Sequence, residues 1–217
     1  MVKKHLFNKF YKNMLKLNRK LKIQKCTKQD LININDIKSI KVKLIERKNV
    51  YFEEKDKKYK CLEYTKLDGC NSKIAITIGF NPAIIDVDKI DRTNLKIINC
   101  LQKLGYSECF LLNLNIQVSK NKKQFSKDNN DEQFEKLLVG ILSSVKNVDI
   151  IIFWGRTVSI SSKFKKFLVK RMKKLKNVYK TTKKSTNKHY HPARVQIEIK
   201  NIELKDFITK DDKYFLV

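Results

Sequence analysis

The chain has 217 residues, enough for one well-cored domain with a small appendage and too few for two full ones. Lys and Arg number 49 against 22 Asp and Glu, a formal charge of +27. A fold that basic repels itself unless it meets a polyanion, so nucleic acid is the first partner expected and an anionic membrane surface the second; the plain alternative is a generally lysine-rich proteome.

No run approaches the ~20 apolar residues of a membrane span, and the basic N-terminus lacks the apolar core of a secretory signal, so a cytoplasmic protein with no membrane partner is expected. The five cysteines are widely spaced without a C-x-x-C pair, and there are three His. Reduced, structural thiols follow, with neither a metal nor another cofactor expected.

In chain order, residues 3–22 place Phe7, Phe10, Tyr11, Met14, Leu17 and Leu21 at helical spacing beside a Lys/Arg face. Residues 1–37 are read as a basic N-terminal helical extension, ending in a polar connection over 26–36, and 38–217 as the main α/β domain. Ile40, Val42 and Leu44, then Tyr59 and Cys61, alternate with charged residues and predict an antiparallel pair whose tip is 53–58. Ile74, Ala75, Ile76, Ile78 and Phe80 predict a buried strand broken open by Asn81-Pro82. A loop with Asp86, Asp88 and Asp91 follows, then a helix over 93–104 closed by Gly105.

Residues 109–114 predict a second buried strand ending on Asn113, and 119–131 a lysine-rich surface loop. A helix over 132–146 leads to a third strand over 148–154 that stops at Gly155. An amphipathic basic helix spans 161–175, Val178-Tyr179 begins a short fourth strand, and a charged loop over 180–188 delivers His189-Tyr190-His191-Pro192. The tail over 195–217 mixes strand and helix signals. Buried strands alternating with helices are βαβ units, which predict a three-layer α/β/α sandwich around a mostly parallel central sheet.

Parallel strands would bring Asn81, Asn113 and Gly155 to one rim, where open α/β sheets bind ligands, and the His191 loop can close over it. Taken singly, a strand-end Asn is more often a turn former, His-Pro a turn, Asp91 a helix cap and Trp154 core.

The segments Gly79-Phe80-Asn81-Pro82, Leu111-Leu112-Asn113, Ile152-Phe153-Trp154-Gly155 and His191-Pro192-Ala193-Arg194-Val195 resemble, in order and approximate spacing, the four signature segments of the uracil-DNA glycosylase superfamily. The same pattern also resembles a bacterial and phage family long classed as a domain of unknown function. The match covers 73–195 and implies a glycosylase-like fold.

By that resemblance His191 donates to uracil O2, Asn113 reads the uracil edge and Asn81 positions water, as the residue of the mismatch-specific branch does. Asn cannot act as a base, so Asp91 is the candidate acid nearby. Phe80 and Ala83 would wall the base. Ala83 stands where the most uracil-selective branch has a bulky Tyr, which leaves the exclusion of thymine open unless another wall supplies it. Pro82, Arg156, Pro192, Arg194 and Val195 would contact DNA, with Arg194 or Val195 filling the stack vacated by the flipped base. The resemblance implies a monomeric, monofunctional uracil-DNA glycosylase in base-excision repair, with DNA and a protein inhibitor of such enzymes as partners. The alternatives are a noncatalytic nucleic-acid-binding protein on the same fold and an enzyme acting on free nucleosides.

Overall fold

The structure, a computed structural model, describes residues 2–17, 19–30, 43–68, 73–118, 132–145, 147–155, 159–175, 177–183, 188–189, 191–192, 197–202, 207–210 and 213–216. Its elements are α1 (Val2–Leu15), β1 (Lys22–Asp30), β2 (Lys43–Glu54), β3 (Lys57–Leu67), β4 (Lys73–Gly79), α2 (Arg92–Lys103), β5 (Tyr106–Asn113), α3 (Glu132–Ser143), β6 (Asp149–Ile152), β7 (Ser159–Ile160), α4 (Ser162–Leu175), β8 (Val178–Lys183), β9 (Ile197–Asn201), β10 (Phe207–Lys210) and β11 (Lys213–Leu216).

The three apolar runs become β4, β5 and β6, at the centre of an eight-stranded sheet ordered β1-β2-β3-β5-β4-β6-β8-β9. The pairs β4–β5, β4–β6 and β6–β8 are parallel. The pairs β1–β2, β2–β3, β3–β5 and β8–β9 are antiparallel. The expectation of a mostly parallel sheet is therefore corrected: the sheet is mixed, and parallel pairing is confined to its middle. The tight β2–β3 turn forces antiparallel neighbours, and the parallel pairs β4–β5 and β6–β8 are each joined by a helical crossover, through α2 and α4. The β2–β3 hairpin turns on Lys55 and Asp56, at φ 46° and 60°, the backbone sign that matches strand twist.

Alternation along the strands feeds two cores. Ile76, Ile78, Phe110, Leu112, Ile150 and Ile152 face α1, α3 and α4 through Phe10, Met14, Phe134, Leu138, Phe164 and Leu168. Ala75, Cys109, Leu111, Ile151 and Phe153 face α2 through Leu95, Ile98 and Leu101. Helices thus cover both faces, as the βαβ pattern predicts.

The expected N-terminal extension is built into this fold. Phe10 and Met14 are fully buried, with Phe10 edge-on to Phe110 at 4.9 Å, and β1 occupies part of the stretch read as a connection. An edge strand needs little burial, so its polar sequence carries no strand signal. The tail supplies β9 to the large sheet and, with β7, a small sheet ordered β10-β11-β7. Among the described residues no helix is long and apolar enough to cross a membrane.

Candidate functional site

Parallel register sets Gly79 opposite Asn113 and Ile78 opposite Ile152. Pairing runs on past the strand ends: Leu114 N donates to Gly79 O, Asn115 N to Phe80 O and Phe153 N to Ile78 O, at 3.0, 2.8 and 2.9 Å. The carboxyl ends of β5, β4 and β6 therefore form one continuous rim. Asn113 lies across Gly79. A Cβ there would sit 2.6 Å from Asn113 Oδ1 and 2.8 Å from the Phe153 ring, closer than atoms pack, so only glycine admits that amide.

On the other flank Gly155 adopts φ +97°, and His191 packs on it, its Cβ and Cδ2 being 3.4 and 3.9 Å from where a Gly155 Cβ would stand. His189 and Pro192, on either side of His191 in the sequence, are each anchored. Gly155 N–H donates to His189 Nε2 at 3.0 Å. That bond leaves the ring proton on Nδ1, which donates to Thr181 O at 2.9 Å. From α2, Lys96 Nζ donates to Pro192 O at 3.0 Å; burial, then the Arg92 charge, lower the Lys96 pKa. β5 and β6 are two strand spacings apart, about 10 Å. Between them the end of β4 carries Gly79, over which the Asn113 amide and the Phe153 ring close.

Asn81 is half-buried and its Nδ2 donates to Pro82 O at 3.3 Å. Pro82 and Pro192 are buried and Ala83 half-buried. Phe80 leans onto the larger core, on the face away from Asn113, and Trp154 is fully buried in that core. Asp91 is the α2 N-cap: its Oδ1 accepts from Thr93 N and Asn94 N at 2.9 and 3.0 Å. Burial raises its carboxyl above the ordinary range, and those backbone donors only partly offset it. Arg156, Arg194 and Val195 lie outside the described residues, as do Lys120 to Lys123. Among the described residues no cluster of His, Cys, Asp or Glu could hold a metal.

The 85–90 loop between Asn81 and Asp91 rests on buried charge. Arg47 of β2 donates to Val87 O and Lys89 O at 2.8 and 2.7 Å, and Asn49 Nδ2 donates to Ile85 O. Glu63 of β3 pairs with Arg47 at 2.7 Å and Lys60 at 2.6 Å, and accepts from Asn94 Nδ2 at 3.3 Å. Burial alone would raise the Glu63 carboxyl, but Arg47 and Lys60 hold it down to about 2. Burial also pulls the Lys60 ammonium below its ordinary value.

Sequence reasoning missed Phe153, Lys96, His189, Arg47 and Glu63. For His189 a signal existed, since residues two apart in an extended segment share a face. Lys96 and Arg47 look like any other surface cation in a chain this basic.

Residues 62–193 match the family described as "Protein of unknown function (DUF1643)". The matched span takes in the whole rim and the His-Pro turn, while Arg47 and Asn49 lie before it. No curated protein matches the chain.

Proposed function

The chain belongs to this family, and we propose that it is a monofunctional DNA glycosylase that hydrolyses the N-glycosidic bond of uracil in DNA, on a central sheet of uracil-DNA glycosylase type. One observation carries the reading: the amide at the end of β5 closes on the glycine end of β4, and an imidazole packs on Gly155 just past the end of β6, the strand on the other side of β4.

Breaking the C1′–N1 bond sends its electron pair to the base and leaves an oxocarbenium-like sugar. The site must therefore stabilise a pyrimidine anion and admit water. His191 N–H donates to O2 of the departing base. The Asn113 carboxamide accepts from N3–H and donates to O4, a pattern that cytosine reverses. Asn81 orients the water that attacks C1′. Asp91 spends one oxygen capping α2 and its other oxygen takes the water proton. The product is an abasic site and free uracil.

The test is incubation with oligonucleotides carrying uracil, a thymine mismatch or hypoxanthine, followed by alkali. Uracil-dependent strand scission after alkali is expected. Asn81→Ala and His191→Ala should each lower it by about 10²–10³ while DNA affinity is kept; full activity in both variants would refute the assignment. A second reading, a noncatalytic nucleic-acid-binding protein, draws support from the Asn81 amide and from the capping role of Asp91. It predicts DNA binding with no scission on any of the three substrates.

A further inference from the structure

Helix α4 exposes Lys163, Lys166, Lys170, Lys173 and Lys174. At about 100° per residue these fall within an arc of roughly 100°, opposite Phe164 and Leu168, which are buried in the larger core. Lysines three and four apart on one face repel one another, so a helix gains nothing from them in isolation. Among the described residues none of the five makes an ion pair.

Several cations elsewhere are matched. Lys22 and Lys58 pair with Glu53, Lys25 and Lys48 with Glu46, and Lys89 with Asp86. The sequence shows the same segregation, for residues 150–197 contain 14 Lys and Arg and no Asp or Glu. General lysine richness would raise cations without removing acids from one stretch. The acids lie on either side of this stretch, among them Glu46, Glu53, Glu54 and Glu63 of β2 and β3, three in the 86–91 loop and five over 198–212.

Position adds a second constraint. Because β6 and β8 are parallel, α4 must return the chain from the carboxyl rim to the amino end of β8. The lysine row therefore starts at the carboxyl rim, on the sheet face opposite α2, and leads away from that rim. From Lys163 to Lys174 the row is about 17 Å long, a length along which one DNA strand presents about five phosphates. The apolar side of α4 is consumed by the core, so the helix has no free apolar face with which to enter a membrane.

We infer that the exposed face of α4 is a phosphate-binding track that holds the nucleic-acid backbone flanking the rim. It rests on the proposed function for DNA as partner, but not on base excision. Two variants test it by direct titration with an undamaged DNA duplex between about 50 and 200 mM salt. One changes Lys163, Lys166, Lys170, Lys173 and Lys174 to Gln, which preserves helix propensity. The other, equal in net charge, changes Lys55, Lys57, Lys58, Lys89 and Lys103 to Gln.

The slope of log affinity against log salt is expected to fall by about 0.9 per lysine in contact, up to about 4.5 for the α4 variant, and by less than about 1 for the control. Equal changes in both variants, or none in α4, overturn the inference; so does α4-dependent binding to phosphatidylserine vesicles without binding to DNA. Circular dichroism checks that both variants keep the fold. Excision is assayed separately: α4-dependent binding without any excision by the unsubstituted chain would remove the glycosylase reading and leave the track standing.

Discussion

Replacing Glu63 by Gln tests whether the buried charge cluster supports the rim. The substitution keeps shape but leaves Arg47 and Lys60, each about 2% exposed, facing an uncharged amide. A carboxyl held at about 2 instead of 4.5 favours the folded state by about 3 kcal/mol at neutral pH. Two orphaned buried cations bring the expected cost to about 3–5 kcal/mol. The sign of the pH dependence follows from the lowered pKa: the contribution is complete above about pH 4.5 and disappears as the pH falls through about 2.

Urea denaturation of both chains should therefore show a gap of about 3–5 kcal/mol at neutral pH, narrowing by roughly 2 kcal/mol near pH 3 as the unfolded wild-type carboxyl protonates. Adding Lys60→Met to the variant should recover part of the loss, because it removes one stranded cation. Amide exchange in the 85–90 loop should quicken with Glu63→Gln, since Arg47 then loses the partner that orients it toward Val87 O and Lys89 O. A gap below about 1 kcal/mol, or one constant from neutral pH to pH 3, would refute the reasoning.

Gly79→Ala should cost about 1–3 kcal/mol and lower kcat/KM for uracil excision at least about tenfold, because the new methyl must displace the Asn113 amide or Phe153; a variant as stable and active as the parent would show that the amide needs no such seat. Asp91→Asn keeps a good N-cap and removes the base, so thermal stability should hold while excision falls and loses its acidic limb, whereas Asp91→Ala should also lose about 1 kcal/mol. Equal excision by the parent and Asp91→Asn would assign Asp91 to capping alone. Burial pushes the Cys109 thiol up to about 12, so it should resist a thiol reagent in the folded chain and react only in denaturant; labelling at the native rate of an exposed thiol would contradict its place in the core.

The parallel centre of the fold was legible because buried strands are written as unbroken apolar runs, and Asn81-Pro82, Gly105 and Gly155 mark their ends. Helix α2 could be read to within a residue, with its N-cap Asp91 and its stop at Gly105, φ 80°. The flanks were less legible for one physical reason. β1 is an edge strand whose described side chains are exposed or half-buried, so no pattern of burial shaped its sequence. β3 shows the opposite failure: it buries Lys60 and Glu63 as well as Leu62 and Tyr64, and charges neutralised in pairs read as a solvated surface until the partner strand is known.

The same limit divides the site. Asn81, Asn113, Gly155 and His191 were legible because a strand end and a turn announce themselves locally. Phe80 was expected beside the base, but in the fold it turns toward the larger core. Strand alternation explains this: Ile78 and Phe80 share a parity, and Ile78 belongs to that core, so Gly79 alone opens β4 toward Asn113. By the same parity Phe153, not Trp154, is the aromatic beside the amide. The wall of the site is therefore set by which residues alternate onto the α2 face. The 85–90 loop that follows Asn81 is seated by Arg47, which lies on β2, before the residues that share the family's pattern. A fragment limited to 62–193 would lose that cation together with α1, β1 and β2, and with them Phe10, Met14, Val50 and Phe52 of the larger core.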